Sequence, residues 1–274
     1  MFNEEKHALA ALTDAAAVAD EILVVDSFST DRTPEIVAEF AAASASKRPG
    51  LTVRFIQHEY VNSATQKNWA IPQASHGWVM VLDADERIPA ELAAEIRAFL
   101  APGGPAATGA ADGMRFFRLG YFMGQPVRHS GWQDDNVLRV FPRDRGRYLD
   151  REVHADVTVE PARPGASVTV AAARTRMPHY TFDNFEHYMR KFDRYTTWAA
   201  GDRGRTTRRV GAVHLLGRPA WRFFRQFVLK RGFLDGRTGM VVCMLAAFSV
   251  FLKYAKLWER QTRDNKRLDN NATD

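Results

Sequence analysis

A single cysteine, Cys243, occurs among 274 residues. That excludes an internal disulfide and any multi-cysteine metal site, and it fits a reducing compartment. No secretory leader is expected, because Met1-Phe2-Asn3-Glu4-Glu5 is acidic where a leader carries base. No internal repeat and no recognisable nucleic-acid-binding module is present, so nucleic acid is not an expected partner. The apolar segment Met240–Leu252, interrupted only by Ser249, is thirteen residues long. It falls short of the roughly 20 residues that span a bilayer. Because Cys243 sits inside that segment, no Cys/His nucleophile is expected, and no Ser/His/Asp arrangement competes.

Charge is unevenly placed. Residues 1–135 hold 11 Lys+Arg against 18 Asp+Glu, whereas residues 136–274 hold 27 against 14. An acidic front and a basic back suggest two tasks. Around Met240–Leu252 lie Arg225, Lys230, Arg231 and Arg237 on one side and Lys253, Lys256 and Arg260 on the other. Trp221, Phe223, Phe224, Phe227, Phe233, Tyr254 and Trp258 are interleaved with them. Aromatics mixed with Lys and Arg around an apolar helix predict an interfacial anchor on anionic lipid. A buried core helix with solvated flanks is the competing reading.

The first hundred residues alternate as β/α units. Helices are expected over Glu5–Ala19, Thr33–Ser44, Thr65–Ala74 and Pro89–Leu100, with Thr33 as an N-cap and Pro34 at the first helical position. Strands are expected over Glu21–Val25, Leu51–Gln57 and Val79–Leu82. Ala101–Gly113 reads as a loop, Met114–Tyr121 and Asn136–Phe141 as strands, and Phe182–Arg203 as a helix.

The chemistry concentrates in Val79-Met-Val-Leu-Asp-Ala-Asp-Glu86. Asp83 and Asp85 stand where a buried strand runs out, the edge at which open α/β sheets bind ligands. Two apart on extended backbone, they point the same way and suit a hard cation shared with phosphates. A solvated acidic turn is the plain alternative. Asp26 ends another strand, Glu4 precedes the first helix, and Lys67 opens a later one. Carboxylates accept from a base and a ribose, and a lysine balances remaining charge, so the set fits a nucleoside diphosphate.

Phe2–Glu5, Val24–Thr33, Gln66–Asn68, Leu82–Glu86, Gly131–Asp135, Leu138–Phe141, His179–Tyr180, Lys230–Gly236 and Phe251–Glu259 together resemble a known family. It is that of the inverting family 2 glycosyltransferases, in the branch of the lipopolysaccharide-core β-1,4-glucosyltransferases. The resemblance implies an α/β fold of the GT-A type, with a mostly parallel Rossmann-like sheet and a helical, basic and aromatic C-terminal extension. It also implies that the family's first strand is missing ahead of Met1, so the true start is expected upstream, or the chain is a weakened relative. Residues 1–180 would form the catalytic domain, 1–100 binding the nucleotide sugar and 114–180 the acceptor. Residues 181–262 would form the membrane-associating extension and 263–274 a polar tail.

The same resemblance implies residue roles. Glu4 and Asp26 contact the nucleotide, Lys67 lies near the diphosphate, and Asp83 holds the ribose or shares the ion. Asp85 ligates Mg²⁺ or Mn²⁺. Asp135 is the general base, with Asp134 as its substitute. Arg139 and His154 are candidate neighbours of the diphosphate or metal, a structural histidine being the other reading of His154. His179 has no assigned role. The expected partners are a nucleotide-diphosphate hexose donor, a glycan or glycolipid acceptor of the cell envelope, and the inner face of the cytoplasmic membrane. A nucleotidyltransferase, and a metal-dependent nucleotide-binding protein without transfer, are the rival classes.

Overall fold

The computed structural model describes residues 1–149, 156–163, 165–182, 184–204 and 206–271. The helices are α1 (Ala8–Ala16), α2 (Thr33–Lys47), α3 (Ser63–Ala70), α4 (Ala90–Leu100), α5 (Phe185–Gly204), α6 (Arg218–Phe224) and α7 (Gly236–Asn271). The strands are β1 (Glu21–Asp26), β2 (Thr52–Gln57), β3 (Trp78–Met80), β4 (Gly113–Phe122) and β5 (Gln125–Val127). They continue with β6 (Asn136–Pro142), β7 (Gly146–Tyr148), β8 (Val157–Val159), β9 (Val170–Ala172) and β10 (Met177–Phe182). The chain forms two compact units, Met1–Leu119 with Asp134–His179, and Gly120–Gln133 with Tyr180–Asp274.

In the first unit, β1 and β2 pair in parallel from Glu21↔Thr52 to Asp26↔Gln57, with α2 as the crossover that such pairing needs. Ile22 and Val24 face inward and meet Leu12 of α1, Val37 of α2 and Leu51. Met1 takes the place beside β1: its amino group donates to the Val25 carbonyl, and the Ser27 amide donates to its own carbonyl. That slanted exchange is the parallel ladder pattern. The larger sheet runs β10–β4–β6–β3 with β9 beside β4. Here β3–β6 and β4–β6 are antiparallel and β4–β9 is parallel. The mixed directions have a simple cause: among the described residues no α-helix lies between α4 and α5, so the strands there lack helical crossovers.

Leu92, Ala93, Ile96 and Phe99 recur at helical spacing along α4 and bury against Met114, Phe116, Val140 and Met177. Full burial of each large side chain contributes roughly 1.5–3 kcal/mol. This core fixes β4 and β6, the strands that carry Arg118 and Arg139.

Three local expectations change. Thr33 is the first helical residue rather than the cap, and Asp31 accepts from its amide at 3.0 Å and from its hydroxyl at 2.6 Å. The helix expected over Thr65–Ala74 starts at Ser63, where Asn62 accepts from the Thr65 amide, and gives way to a 3₁₀ turn at Ile71–Gln73. Pro72 has no amide hydrogen with which to continue an α-helix. The polar tail continues α7 to Asn271, since no Gly or Pro interrupts residues 263–271.

In the second unit, α6 lies between π-helical turns at Val213–Gly217 and Arg225–Leu229. Tyr254 and Leu257 of α7 pack with Ala200 of α5 and with Val210, and Phe192 stacks on Phe248 at 5.7 Å. A Cβ on Gly239 would come within 1.9 Å of the Gly232 carbonyl oxygen, so the first turn of α7 lies directly on the turn at Gly232–Asp235. Asp235 accepts from the His129 amide at 2.9 Å and faces the His129 ring, tying the Arg128–Ser130 segment to the same turn. The stretch Gly232–Arg263 is long and apolar enough to cross a membrane by length and composition, beyond what the thirteen-residue apolar segment indicates.

Cys243 is fully buried beside Ser130 and Gly232, and burial pushes its thiol up from its ordinary value. The protein is therefore expected to resist iodoacetamide at neutral pH and to label fully in denaturant. Stoichiometric labelling of the folded protein, read by mass spectrometry, would contradict this packing.

Candidate functional site

The site is assembled within the first unit, beginning at the end of β1. Asp26 is buried, and its carboxylate accepts from the Ser29 amide at 2.9 Å, from the Ser29 hydroxyl at 2.5 Å and from Gln57 Nε2 at 3.2 Å. It therefore anchors the turn after β1 rather than standing open. The turn is cross-tied to the Asn3–Glu5 segment. The Glu4 amide donates to Thr33 Oγ1 at 2.8 Å, the Glu5 amide to Asp31 at 3.0 Å, and the Thr30 amide to Asn3 Oδ1 at 2.8 Å. Glu4 is thus placed by the start of α2. Burial depresses the Met1 ammonium, while Asp26, Glu4 and Asp83 act against that and Lys67 adds to it. Four of the sequence-predicted residues therefore lie within electrostatic reach of one point.

The Asp83–Glu86 segment is a turn, not extended backbone. The Glu86 amide donates to the Asp83 carbonyl at 3.0 Å, and Glu86 Oε2 accepts from the Asp83 amide at 3.1 Å. Asp83 and Asp85 therefore meet different protein partners, and the shared direction expected of extended backbone does not apply to this turn. Asp83 pairs with Lys67 Nζ at 2.8 Å and with Arg139 Nη2 at 2.6 Å. Burial acts to raise the Asp83 carboxyl, but Arg139 and Lys67 hold it well below the usual carboxylate range. Because its side chain keeps 36% exposure, we assign the depression to these two cations. Lys67 also lies over the Tyr148 ring at 5.2 Å, and the Tyr148 hydroxyl accepts from Arg139 at 3.2 Å.

Arg139 continues the chain of charges inward. It is almost fully buried and donates a hydrogen bond to Glu86, whose side chain is wholly buried. Burial would lower the Arg139 guanidinium, yet Asp83 and Glu86 hold it well above its ordinary value. Glu86 Oε1 also meets Arg118 Nη1 at 3.4 Å. Arg118 then grips Asp135 with both arms, Nε to Oδ2 and Nη2 to Oδ1, each at 2.9 Å. Lys67, Asp83, Arg139, Glu86, Arg118 and Asp135 thus form one ladder of alternating sign.

Asp85 faces His179, with Nε2 and Oδ2 3.4 Å apart, and His179 bridges Glu86 through the backbone. Among the described residues no group of three or more His, Cys, Asp or Glu side chains could hold a metal. The Asp85 carboxylate nevertheless suits Mg²⁺ or Mn²⁺ when substrate phosphates and water complete the shell. The donor set thus fits a cation shared with a ligand. Asp134 and Asp135 are both exposed, Asp135 retaining 44% of its side-chain surface. His154 lies outside the described residues.

Sequence reasoning placed no role on Glu86, Arg118 or His179. Glu86 is buried together with Ala84 and Ile88, which its place in the acidic stretch does not announce. An acid so buried needs cationic partners. Nothing local marks Arg118, whose partner Glu86 is 32 residues away.

A model of the glycosyl transferase family 2 matches residues 1–118. The lipopolysaccharide core biosynthesis glycosyltransferase LpsC of Rhizobium meliloti is 28% identical over 242 residues, covering 88% of this chain and 83% of that protein. An uncharacterized glycosyltransferase of Rickettsia bellii is 26% identical over 275 residues, covering 96% and 85%. Among solved structures, the mannosyltransferase PcManGT from Pyrobaculum calidifontis, in complex with GDP-Man and Mn²⁺, superposes with a TM-score of 0.50. It is 15% identical and covers 94% of this chain and 85% of that one, so the likeness is one of fold.

Replacing Arg139 by Gln leaves the Glu86 carboxylate short of a guanidinium in a buried site. Removing one partner of a buried pair costs about 3–5 kcal/mol. The Arg139→Gln protein is expected to lose stability on that scale in urea unfolding, and a loss under about 1 kcal/mol would show the ladder to be mechanically idle.

Proposed function

We propose, from the premise that this glycosyltransferase carries a family 2 domain over residues 1–118, that it moves a glucose-like hexose with inversion. The donor is a nucleotide-diphosphate sugar and the acceptor a glycan or glycolipid of the lipopolysaccharide core or a related envelope polymer. The acceptor class is supported by the relative LpsC, whose name assigns it to lipopolysaccharide core biosynthesis. The observation that carries the mechanism is the ladder from Lys67 to Asp135. It joins Asp83, read here as donor-side, to Asp135, read as acceptor-side, through one network of ion pairs, with Asp135 open to solvent.

Inverting transfer is one displacement. The acceptor oxygen attacks the anomeric carbon, the bond from that carbon to the diphosphate oxygen breaks, and its electron pair stays on the phosphate. The acceptor proton passes to Asp135, which needs a carboxylate within hydrogen-bond reach of the hydroxyl. The Arg118 fork uses one lone pair on each Asp135 oxygen, so another on each remains for that proton. On this reading Lys67 and Asp83 would contact the diphosphate and the ribose, and Glu4 with the Asp26 turn would line the nucleotide. Asp85 would hold Mg²⁺ or Mn²⁺, whose charge neutralises the departing diphosphate.

Exposed side chains of the second unit support a membrane-surface location for this reaction, the cytoplasmic face being the proposed side. Val213, Leu216, Trp221, Leu229 and Leu234 are exposed, Val213 by 70% and Leu216 by 69%. Arg222, Arg225, Arg231 and Arg237 are exposed in the same helical region. Apolar and aromatic side chains beside cations suit anionic lipid.

A panel of UDP-, GDP- and dTDP-hexoses with Mn²⁺ and deacylated core oligosaccharide tests the reaction. Transfer from at least one donor is expected, and failure with all of them would refute the reading. Asp135→Asn and Asp85→Ala should both fold, and Asp135→Asn should lose about 10²–10⁴-fold in turnover. Near-normal turnover by Asp135→Asn would remove it as the base. Separately, the protein should co-sediment with phosphatidylglycerol vesicles at low salt and release at high salt, and Leu216→Ser with Trp221→Ser should weaken it. Equal partition onto phosphatidylcholine, or none onto either lipid, would refute the docking surface.

A further inference from the structure

We infer that Arg118 is a positioning residue for Asp135, held in place by the buried carboxylate of Glu86. The inference rests on reading Asp135 as the general base. Arg118 and Asp135 are also joined through the backbone, the Arg118 amide donating to the Asp135 carbonyl at 2.8 Å, next to the β4–β6 register pair Phe117↔Asn136. An exposed aspartate tied only by its backbone would sample several rotamers. The two-armed guanidinium holds one.

Holding a base requires the clamp itself to be held. A surface Arg–Asp pair is worth little and opens readily. Arg118 differs because its third contact is Glu86, which is wholly buried and whose charge requires cationic partners. Turning Arg118 away would leave Glu86 with Arg139 and the Asp83 amide alone. The guanidinium is therefore fixed from within and presents a defined fork outward. A lysine at 118 keeps the charge but lacks the planar fork.

The test compares Arg118→Lys, Arg118→Ala and Asp135→Asn, using whichever nucleotide sugar the panel above selects. Circular dichroism and a melting curve establish that each variant is folded. Arg118→Lys should lower kcat about tenfold to a hundredfold, the scale expected of a misplaced catalytic group, with donor KM within about twofold. Guanidinium ion added at millimolar concentration should restore part of kcat to Arg118→Ala but none to Asp135→Asn. Wild-type kcat in Arg118→Lys overturns the inference. So does a rise in donor KM at unchanged kcat, and so does a lost kcat in Arg118→Ala that guanidinium leaves unmoved. If Asp135→Asn is inactive while Arg118→Lys is normal, only the positioning role fails. If Asp135→Asn is active, the base assignment fails first and takes this inference with it.

Discussion

The Glu86 carboxylate has no solvent, so its charge must be met from within the protein, and the rest of the site is built around that demand. Arg139 meets it from β6 and Arg118 from β4. Each guanidinium then extends outward to a partly exposed carboxylate, Asp83 on one side and Asp135 on the other. A buried charge is a poor source of stability compared with apolar packing. Its use here is geometric. It makes two surface aspartates, 52 positions apart in sequence, behave as the ends of one strut.

Much of the framework was legible because it follows local rules. The apolar run Ile22–Val25, proline at the start of α2 and the apolar spacing of Leu92, Ile96 and Phe99 all report backbone preferences and burial. The acidic stretch at Asp83–Glu86 stands out in the sequence, yet its geometry does not. Extended backbone would aim Asp83 and Asp85 together, whereas the turn closed by Glu86 sends one toward Lys67 and the other toward His179. The strand directions after α4 were also less parallel than the β/α pattern of the first hundred residues suggested.

What stayed hidden depends on distant pairing. Arg118 is one arginine among many, and only its meeting with Glu86 and Asp135 distinguishes it. His179 lies 94 positions from Asp85 and reaches it because β10 brings it beside the Asp83–Glu86 turn. Asp26 illustrates the opposite case. Its position at the end of β1 was read correctly, but Ser29 and Gln57 already use its oxygens.

The balance of sign along the ladder has a consequence for ligand entry. Lys67, Arg139 and Arg118 are matched one for one by Asp83, Glu86 and Asp135, while Glu4, Asp26 and Asp85 stand nearby as additional acids. A bare pyrophosphate entering such surroundings brings negative charge to ladder cations that already have acidic partners. On the proposed reading, a nucleotide sugar entering together with a divalent cation would bring less uncompensated negative charge than one entering without it.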